Sequence, residues 1–210
     1  MRARVAGRPI GRTRVSSSKL DQVATGLKAA RFGVAVWSAA ALDAPAIEML
    51  CGLLNDLNAA TRFSGLPLAP PDNAIGVTQT CAWMTGLPVR TGFARASPEH
   101  DPWLFDGQRV IADGEADCLL WVSAYRASAL PWRTATPTIA LTARDANFHK
   151  PPRVHIAVGC PGVDHASVEH LPSTGTLALV EAKRPSDTMS VADVLTRIIA
   201  ALPGAGEPAC

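Results

Sequence analysis

The stretch SSSKLDQVATGLKAARFGVAVWSAAALDAPAIEMLCGLLNDLNAA, residues 16–60, decides the fold class expected for this chain. Ser18 can cap a helix, and the apolar side chains that follow recur at helical spacing: Leu20, Val23, Ala24 and Leu27. The continuous apolar run GVAVWS at 33–38 is typical of a strand buried in a parallel sheet. Pro45 then lies in the first turn of a second helix, whose apolar face comprises Ile47, Leu50, Cys51, Leu54 and Leu57. The stretch predicts a helix, a strand and a helix in succession.

The same alternation of strands and helices returns in the second half of the chain. Apolar runs bounded by Pro, Gly or Asp predict strands at 117–125, 136–144, 153–159 and 175–183. The short connections between them suggest some antiparallel additions. A last helix is predicted by a capping box and an apolar stripe: Ser190 and Asp193, then Val191, Val194, Leu195, Ile198, Ile199 and Leu202. These elements together predict an α/β fold with a doubly wound, largely parallel sheet.

The segment 61–110 interrupts this alternation, because it is rich in Pro and Gly and is dominated by predicted loops. We expect one helix within it, at about 74–85. Asn73 can cap the start of that helix, and Gly86 is well placed to end it, with Pro88 just beyond.

The chain divides in sequence into three parts. Residues 1–15 form a basic arm without acidic residues, 16–203 form a single α/β domain, and 204–210 form a tail expected to be disordered. The arginines of the arm are Arg2, Arg4, Arg8, Arg12 and Arg14. With a net charge of only +2, the chain lacks the broad positive field of a nucleic-acid-binding protein, so we expect the arm to be solvated or to clasp another subunit.

Composition favours a protein that contacts partner proteins and that lies in a reducing compartment. Hydrophobic residues make up 48% of the chain and charged residues only 18%, which suggests a covered interface or simply an Ala-rich composition. The five cysteines are widely spaced without any C-x-x-C pair, which argues against a disulfide framework and against a zinc or iron–sulfur site. We see no secretory leader and no 18-residue apolar run, so we expect a cytoplasmic protein without a membrane span.

Motifs for catalysis are missing from the sequence. It contains no G-x-G-x-x-G after a strand, no G-x-x-x-x-G-K-[ST], no G-x-S-x-G and no H-E-x-x-H. The densest polar segment is CPGVDHASVEHLP, whose candidate ligands are Cys160, Asp164, His165, Glu169 and His170. These side chains could bind zinc, but the irregular start at Pro161 and Gly162 favours a loop rich in hydrogen bonds. We therefore predict neither a catalytic nor a metal-binding residue.

Aromatic residues in the Pro- and Gly-rich segment are the best candidates for function. Trp83, Phe93 and Trp103 lie there together with Arg90 and Arg95, and protein interfaces are enriched in these residue types. A cofactor pocket and internal packing of the loops are the competing interpretations.

The order of several motifs resembles the B subunit of formylmethanofuran dehydrogenase, a family of molybdopterin oxidoreductases. The motifs that carry this resemblance are NAIGV at 73–77, WMTGLP at 83–88, ASPEHDPW at 96–103 and DGEADCLLWVSA at 113–124. The resemblance covers roughly residues 30–185 and implies the fold of a truncated molybdopterin oxidoreductase domain. Redox members of the family carry, upstream of this region, an iron–sulfur cysteine cluster and a Cys or selenocysteine ligand of molybdenum or tungsten. We expect both to be absent here, without a substitute among the separated cysteines.

The resemblance also implies what such a chain does without a redox centre. The family has a version in methylotrophic bacteria, a four-subunit formyltransferase/hydrolase complex. There, formyl groups pass from formyl-tetrahydromethanopterin to a methanofuran-like carrier, and an amidohydrolase-like subunit releases formate. Our first hypothesis is that this chain is the B subunit, a non-catalytic scaffold without a cofactor of its own. It would contact the amidohydrolase-like, formyltransferase and C subunits through Trp83, Arg90, Phe93, Arg95 and Trp103, with the Arg2–Arg14 arm as a second contact.

Two further hypotheses stay open. In one, the chain is part of a molybdenum or tungsten dehydrogenase, and Asn73, Thr85 and Gly86 contact a pterin dinucleotide. In the other, it is a standalone nucleotide-binding α/β module.

Overall fold

A computed structural model of the chain describes residues 1–39, 41–68, 70–94 and 97–202. The chain forms two compact units, Met1–Pro71 and a second that begins at Asp72, and each is described here by itself. The single domain predicted for 16–203 stays a prediction, and the predicted tail at 204–210 lies outside the described residues.

The first unit contains a β-α-β crossover. Its elements are α1 (Arg2–Val5), α2 (Ser17–Ala29), β1 (Phe32–Ser38), α3 (Ala44–Asn58) and β2 (Arg62–Leu68). Strands β1 and β2 pair in parallel, so the crossover through α3 is the unit that builds parallel sheets. The predicted succession of helix, strand and helix is confirmed, although the residue before α2 is Ser16 rather than Ser18.

Strand β2 was not predicted, because the sequence places Gly65 and Pro67 inside it. Proline lacks the N–H that a central strand needs and is tolerated at a sheet edge. Among the described residues β2 pairs only with β1, so Pro67 lies on an edge strand. Gly65 leaves room for the Trp37 ring, since a Cβ there would lie 2.7 Å from Trp37 Cη2.

The core of the first unit includes the beginning of the chain. Val5 is buried with Ala24, Leu57 and Phe63, so α1 packs against α2 and α3. Arg2 forms a bidentate ion pair with Asp56, with Nε to Oδ2 at 2.7 Å and Nη2 to Oδ1 at 3.1 Å. The first residues of the predicted basic arm are therefore part of a folded unit.

The second unit is richer in strands. Its elements are α4 (Ala74–Thr85), β3 (Thr91–Gly92), β4 (Glu99–His100), α5 (Gly107–Ala112), β5 (Leu119–Ser123), β6 (Thr138–Thr142), β7 (Val154–Ala157), β8 (Ser167–Leu171), β9 (Thr176–Val180) and α6 (Val191–Ala201). Strands β5, β6 and β7 form a parallel sheet in that order, and β8 and β9 form an antiparallel pair. The mixed α/β class with parallel segments and antiparallel additions is thus confirmed.

Four elements of the second unit fall where the sequence predicted loop. The short strands β3 and β4 lie in the Pro- and Gly-rich segment, where helix α5 also begins, and β8 lies in the polar segment that was considered for metal binding. Strand β8 forms because the adjacent strand β9, an apolar run, supplies its backbone hydrogen-bonding partners. Val168 lies opposite Leu179 in this pair.

Helix caps follow the sequence closely at α3 and α6. The Asp43 side chain accepts a hydrogen bond from the Ala46 N–H at 2.9 Å. Both hydrogen bonds of the predicted capping box between Ser190 and Asp193 are formed. Val194 of α6 is buried against the parallel sheet, in a cluster with Ala124, Leu141 and Val158. None of the described helices has the length and apolar content that crossing a membrane requires.

Candidate interaction surface

Helix α4 exposes large apolar side chains over one part of its circumference. Trp83 is 70% exposed and Met84 is 81% exposed, and the exposed Val77 lies on the same side of the helix as Met84, seven residues before it. Gly76, in the first turn of α4, is buried, and α4 contacts β8. Sequence analysis singled out Trp83 but missed Met84, because methionine is usually a core residue and only its helical spacing from Val77 could have indicated the shared face.

The segment after α4 presents two further aromatic rings. Phe93 directly follows β3 and is 64% exposed, and Trp103 follows β4 and is 70% exposed. The Trp103 ring lies under the Arg109 guanidinium, whose Cζ is 4.9 Å from the ring centroid. The Arg109 guanidinium is itself held by Glu115, with Nη1 to Oε1 at 2.6 Å. The Arg109 side chain therefore holds the Trp103 ring in place, although the ring is exposed to solvent.

Arg90, one of the predicted interface residues, has partners inside this segment. Its Nη2 lies 2.9 Å from Asp106 Oδ2, and its Nη1 donates to the Pro102 carbonyl at 2.5 Å. Arg90 also has a left-handed backbone, with φ of 65°. Its guanidinium ties the turn before β3 to the loop that carries Trp103, so Arg90 positions the aromatic residues.

The predicted interface residues lie on two parts of the second unit. Arg90, Phe93 and Trp103 lie in one hydrogen-bonded segment around the β3–β4 pair. Trp83 lies in the last turn of α4. Arg95 lies outside the described residues. In the predicted second contact, Arg2 and Arg4 are paired with Asp56 and Asp21, respectively.

The residues considered for a pterin cofactor have structural partners of their own. Asn73 Nδ2 donates to the Val168 carbonyl at 3.0 Å, and Asn73 Oδ1 accepts from the His170 N–H at 2.9 Å. Asn73 precedes α4 as predicted, but it has a left-handed φ of 57° and its side chain does not cap the helix. Its amide instead fastens the start of α4 to β8.

At the other end of α4, the Thr85 side chain also has hydrogen-bonding partners within the chain. Thr85 Oγ1 donates to the Cys81 carbonyl at 2.7 Å and accepts from the Leu87 N–H at 3.0 Å. Gly86 ends the helix with φ of 75°, as predicted. The 12-residue helix α4 separates Asn73 from Thr85 by about 18 Å, at about 1.5 Å per residue. Asn73 and Thr85 therefore have partners within the chain at opposite ends of α4.

The polar segment at 160–170 is a network of internal hydrogen bonds. Asp164 accepts from the Cys160 N–H at 2.8 Å and from Arg184 Nε at 2.6 Å. The Arg184 guanidinium first, and then the Cys160 N–H, hold the pKa of Asp164 below its usual value. Glu169 Oε1 accepts from the Ser167 hydroxyl at 2.7 Å.

His165 and the backbone of His170 also have partners within the chain. His165 lies near two backbone carbonyls, with Nδ1 3.0 Å from Ala166 O and Nε2 3.3 Å from Gly159 O. The backbone N–H of His170 donates to the side chain of Asn73. Burial raises the pKa of the Cys160 thiol, with the Asp164 and Glu169 carboxylates adding to the rise, so the reactive thiolate is disfavoured there. Within the described ranges, no group of three or more His, Cys, Asp or Glu is arranged to hold a metal ion.

Comparison with known proteins relates the chain to one bacterial protein. Over 178 residues it is 40% identical to the B subunit of the formyltransferase/hydrolase complex from Methylorubrum extorquens, an alignment that covers 82% of this chain and 49% of that protein. The fold matches a chain in the crystal structure of that complex with methylofuran, with a TM-score of 0.77 and 37% identity over 94% of this chain and 55% of the other.

More distant relatives are archaeal. Over 111 residues, which are 53% of this chain and 26% of the relative, the chain is 26% identical to the B subunit of tungsten-containing formylmethanofuran dehydrogenase 2 from Methanocaldococcus jannaschii. No protein-family model matches the chain. The chain spans about half the length of the bacterial relative and a smaller share of the archaeal one.

Proposed function

This chain is related to the B subunit of the formyltransferase/hydrolase complex, and from that relation we propose that it is a scaffold subunit of such a complex. In this role it has no active site of its own and holds together the amidohydrolase-like, formyltransferase and C subunits. The complex would move formyl groups from formyl-tetrahydromethanopterin to a methanofuran-like carrier and release formate. The observation that carries the proposal is the similarity to the bacterial relative over most of this chain, in both sequence and fold.

The surface chemistry supports a role in assembly. Large apolar side chains that a monomer would usually bury are exposed on α4 and around the β3–β4 pair: Trp83, Met84, Phe93 and Trp103. Aromatic residues and methionine are enriched at the centres of protein interfaces. We assign the contact with a partner subunit to this surface, with Arg90 positioning the segment that carries Trp103.

The absence of a redox cofactor is part of the same proposal. The dehydrogenase hypothesis has the weaker support, since identity to the tungsten-containing relative is 26% over about half of this chain. Asn73, Thr85 and Gly86, the residues proposed to contact a pterin, are engaged in contacts within the chain.

We also infer that the parallel strands belong to a doubly wound, molybdopterin-oxidoreductase-like domain and that the protein acts in the cytoplasm. The β1-α3-β2 crossover and the parallel sheet of β5, β6 and β7 support the first inference. Four unpaired cysteines among the described residues support the second, because reduced thiols are typical of the cytoplasm.

The proposed function is tested by purifying the tagged chain from its native host. Proteins that co-purify are identified by mass spectrometry, and Mo, W, Fe and Zn are measured per chain. We expect three partner subunits in fixed ratio, with metal confined to the amidohydrolase-like partner. Stoichiometric Mo or W together with Fe on this chain would support the dehydrogenase hypothesis instead. A monomer without partners would overturn the scaffold proposal.

A further inference from the structure

The amino ends of β6 and β7 border a cleft of about 660 Å³ that the proposed function does not use. Its walls come from the segments that lead into these two strands, 129–138 and 148–153. The Arg153 N–H donates to the Thr138 carbonyl at 2.8 Å, which joins the walls at the base of the strands. The volume lies in the range of small-molecule binding sites.

The cleft is lined by cations without compensating acids. Arg133, Lys150 and Arg153 border it, and no Asp or Glu is among its lining residues. None of the three forms an ion pair with a carboxylate in the described part of the chain. Other arginines of this unit are neutralised, as Arg109 is by Glu115 and Arg184 by Asp164. The cleft therefore carries net positive charge that an anionic ligand can satisfy.

The uncharged walls of the cleft include two aromatic rings that are held in place. Trp132 packs edge to face against Trp121 of β5, with centroids 6.3 Å apart. Phe148 packs in the same way against His155 of β7, at 5.3 Å. Since both rings are anchored to strands, the apolar surface exists before any ligand binds, which lowers the entropy cost of binding.

We propose that this cleft binds a nucleotide-class ligand, with its phosphates on Arg133, Lys150 and Arg153 and its planar ring against Trp132. Three cations match the multiple charges of a diphosphate better than the single charge of a carboxylate. A planar ring with an attached polyanion satisfies both the aromatic and the cationic walls. In this arrangement the phosphates bind to side chains. A glycine-rich loop, which binds phosphates through its backbone N–H groups, is therefore not needed.

Calorimetric titration of the full chain with ADP, pyrophosphate and adenosine at low salt tests this proposal. We expect ADP to bind more tightly than pyrophosphate, pyrophosphate more tightly than adenosine, and all phosphate binding to weaken with added salt. Reversing two charges, as Lys150→Glu with Arg153→Glu, should weaken ADP binding at least about tenfold. Lys19→Glu reverses an exposed charge on α2, outside the cleft, and should leave ADP binding unchanged.

The ring contact is tested separately. Trp132→Leu should weaken ADP binding while pyrophosphate binding stays as it is in the parent chain. A far-ultraviolet circular dichroism spectrum of each variant shows that it is folded before titration. The proposal is overturned if ADP at millimolar concentration shows no binding, or if the double charge reversal and Lys19→Glu behave alike. Neither outcome bears on assembly with partner subunits, which the purification experiment measures.

Discussion

Single residues set how closely the elements of the first unit approach one another. The Phe63 ring occupies the space above Gly33, where a Cβ would lie 2.1 Å from Phe63 Cε1. The Asn58 side chain donates to the Leu54 and Phe63 carbonyls and accepts from the Phe63 N–H, each at 2.9 Å. These contacts fix the end of α3 against the start of β2. A glycine and an amide therefore allow β1, α3 and β2 to pack closely.

Replacing Gly33 by alanine should destabilise the protein by about 1–3 kcal/mol, since the Phe63 ring must move out of a buried position. Chemical unfolding of the purified chain measures this change. Gly26→Ala is a matched control within α2, where a Cβ meets nothing within 4 Å. It should stabilise the protein by up to about 1 kcal/mol through helix propensity. Equal effects of both substitutions would contradict the packing described at Gly33.

The Asp164 carboxylate should make stability depend on pH. Its pKa is lowered in the folded state by Arg184 and by the Cys160 N–H, so its stabilising effect is present above the unfolded pKa of about 3.9. That effect is lost as pH falls through the folded pKa. We expect the difference in unfolding free energy between the parent chain and Asp164→Asn to be constant at neutral pH and to shrink below about pH 4.

Urea unfolding from about pH 7 to about pH 2.5 measures this difference. Arg184→Gln removes the larger cause of the shift and should reduce the pH dependence without abolishing it. If the difference in unfolding free energy stays constant over this whole range, the folded state does not stabilise the Asp164 carboxylate as its hydrogen bonds indicate.

At the scale of elements, helix α4 is attached to β8 at its start and exposes apolar side chains at its end. The first turn of α4 is fastened to β8 through the Asn73 amide, for which Gly76 leaves room. The last turn of α4 exposes Trp83 and Met84. Exposed apolar side chains of this size mark surfaces that contact other proteins. We infer that the last turn of α4 is covered in the assembled protein.

Replacing Asn73 should loosen α4 from β8. Asn73→Gly removes both side-chain hydrogen bonds and should cost about 2 kcal/mol. Asn73→Ala should cost about 1 kcal/mol more, because alanine is strained at the left-handed φ of 57°. Unfolding free energies and hydrogen exchange of the α4 amides measure the two effects. If glycine and alanine are equally destabilising, the backbone conformation at position 73 makes no separate contribution.

At the scale of the whole molecule, the exposed apolar surface is large for a chain that acts alone. Strand β1 exposes Phe32, Val34 and Val36, and β8 and β9 expose Val168 and Leu179. The chain spans about half the length of its bacterial relative. These faces are consistent with the proposal that the chain acts inside an assembly.

Substituting Trp83 by alanine should weaken assembly and leave the fold intact. The side chain is 70% exposed, so little packing within the chain is lost. Buried tryptophans at interfaces often contribute about 2 kcal/mol or more, which corresponds to a loss of affinity of about 30-fold. Co-purification of the proposed partner subunits, with circular dichroism of the free chain, measures both properties.

Ile199→Ala on α6 is the matched control for this experiment, since Ile199 is 58% exposed and lies outside the proposed surface. Trp103→Ala should act like Trp83→Ala if α4 and the β3–β4 segment contact partners. Assembly that is unchanged by both tryptophan substitutions would remove this surface from the proposal.

The sequence by itself determined the features that depend on neighbouring residues. The capping box of α6, the Pro45 start of α3 and the Gly86 end of α4 were predictable because caps and turns act within about four residues. The motifs from Asn73 to Ala124 also carried the resemblance to the B-subunit family, which the comparisons support.

Only the tertiary structure decided the features that depend on residues distant in sequence. Strand β2 forms despite Pro67 because β1 offers an edge, and β8 forms in a polar segment because β9 lies beside it. Asn73 bonds to Val168, 95 residues away, instead of capping α4. Arg90 pairs with Asp106, which lies outside its own turn. Local patterns contain no information on these partners, since folding over long loops brings them together and hydrogen bonding then selects among them.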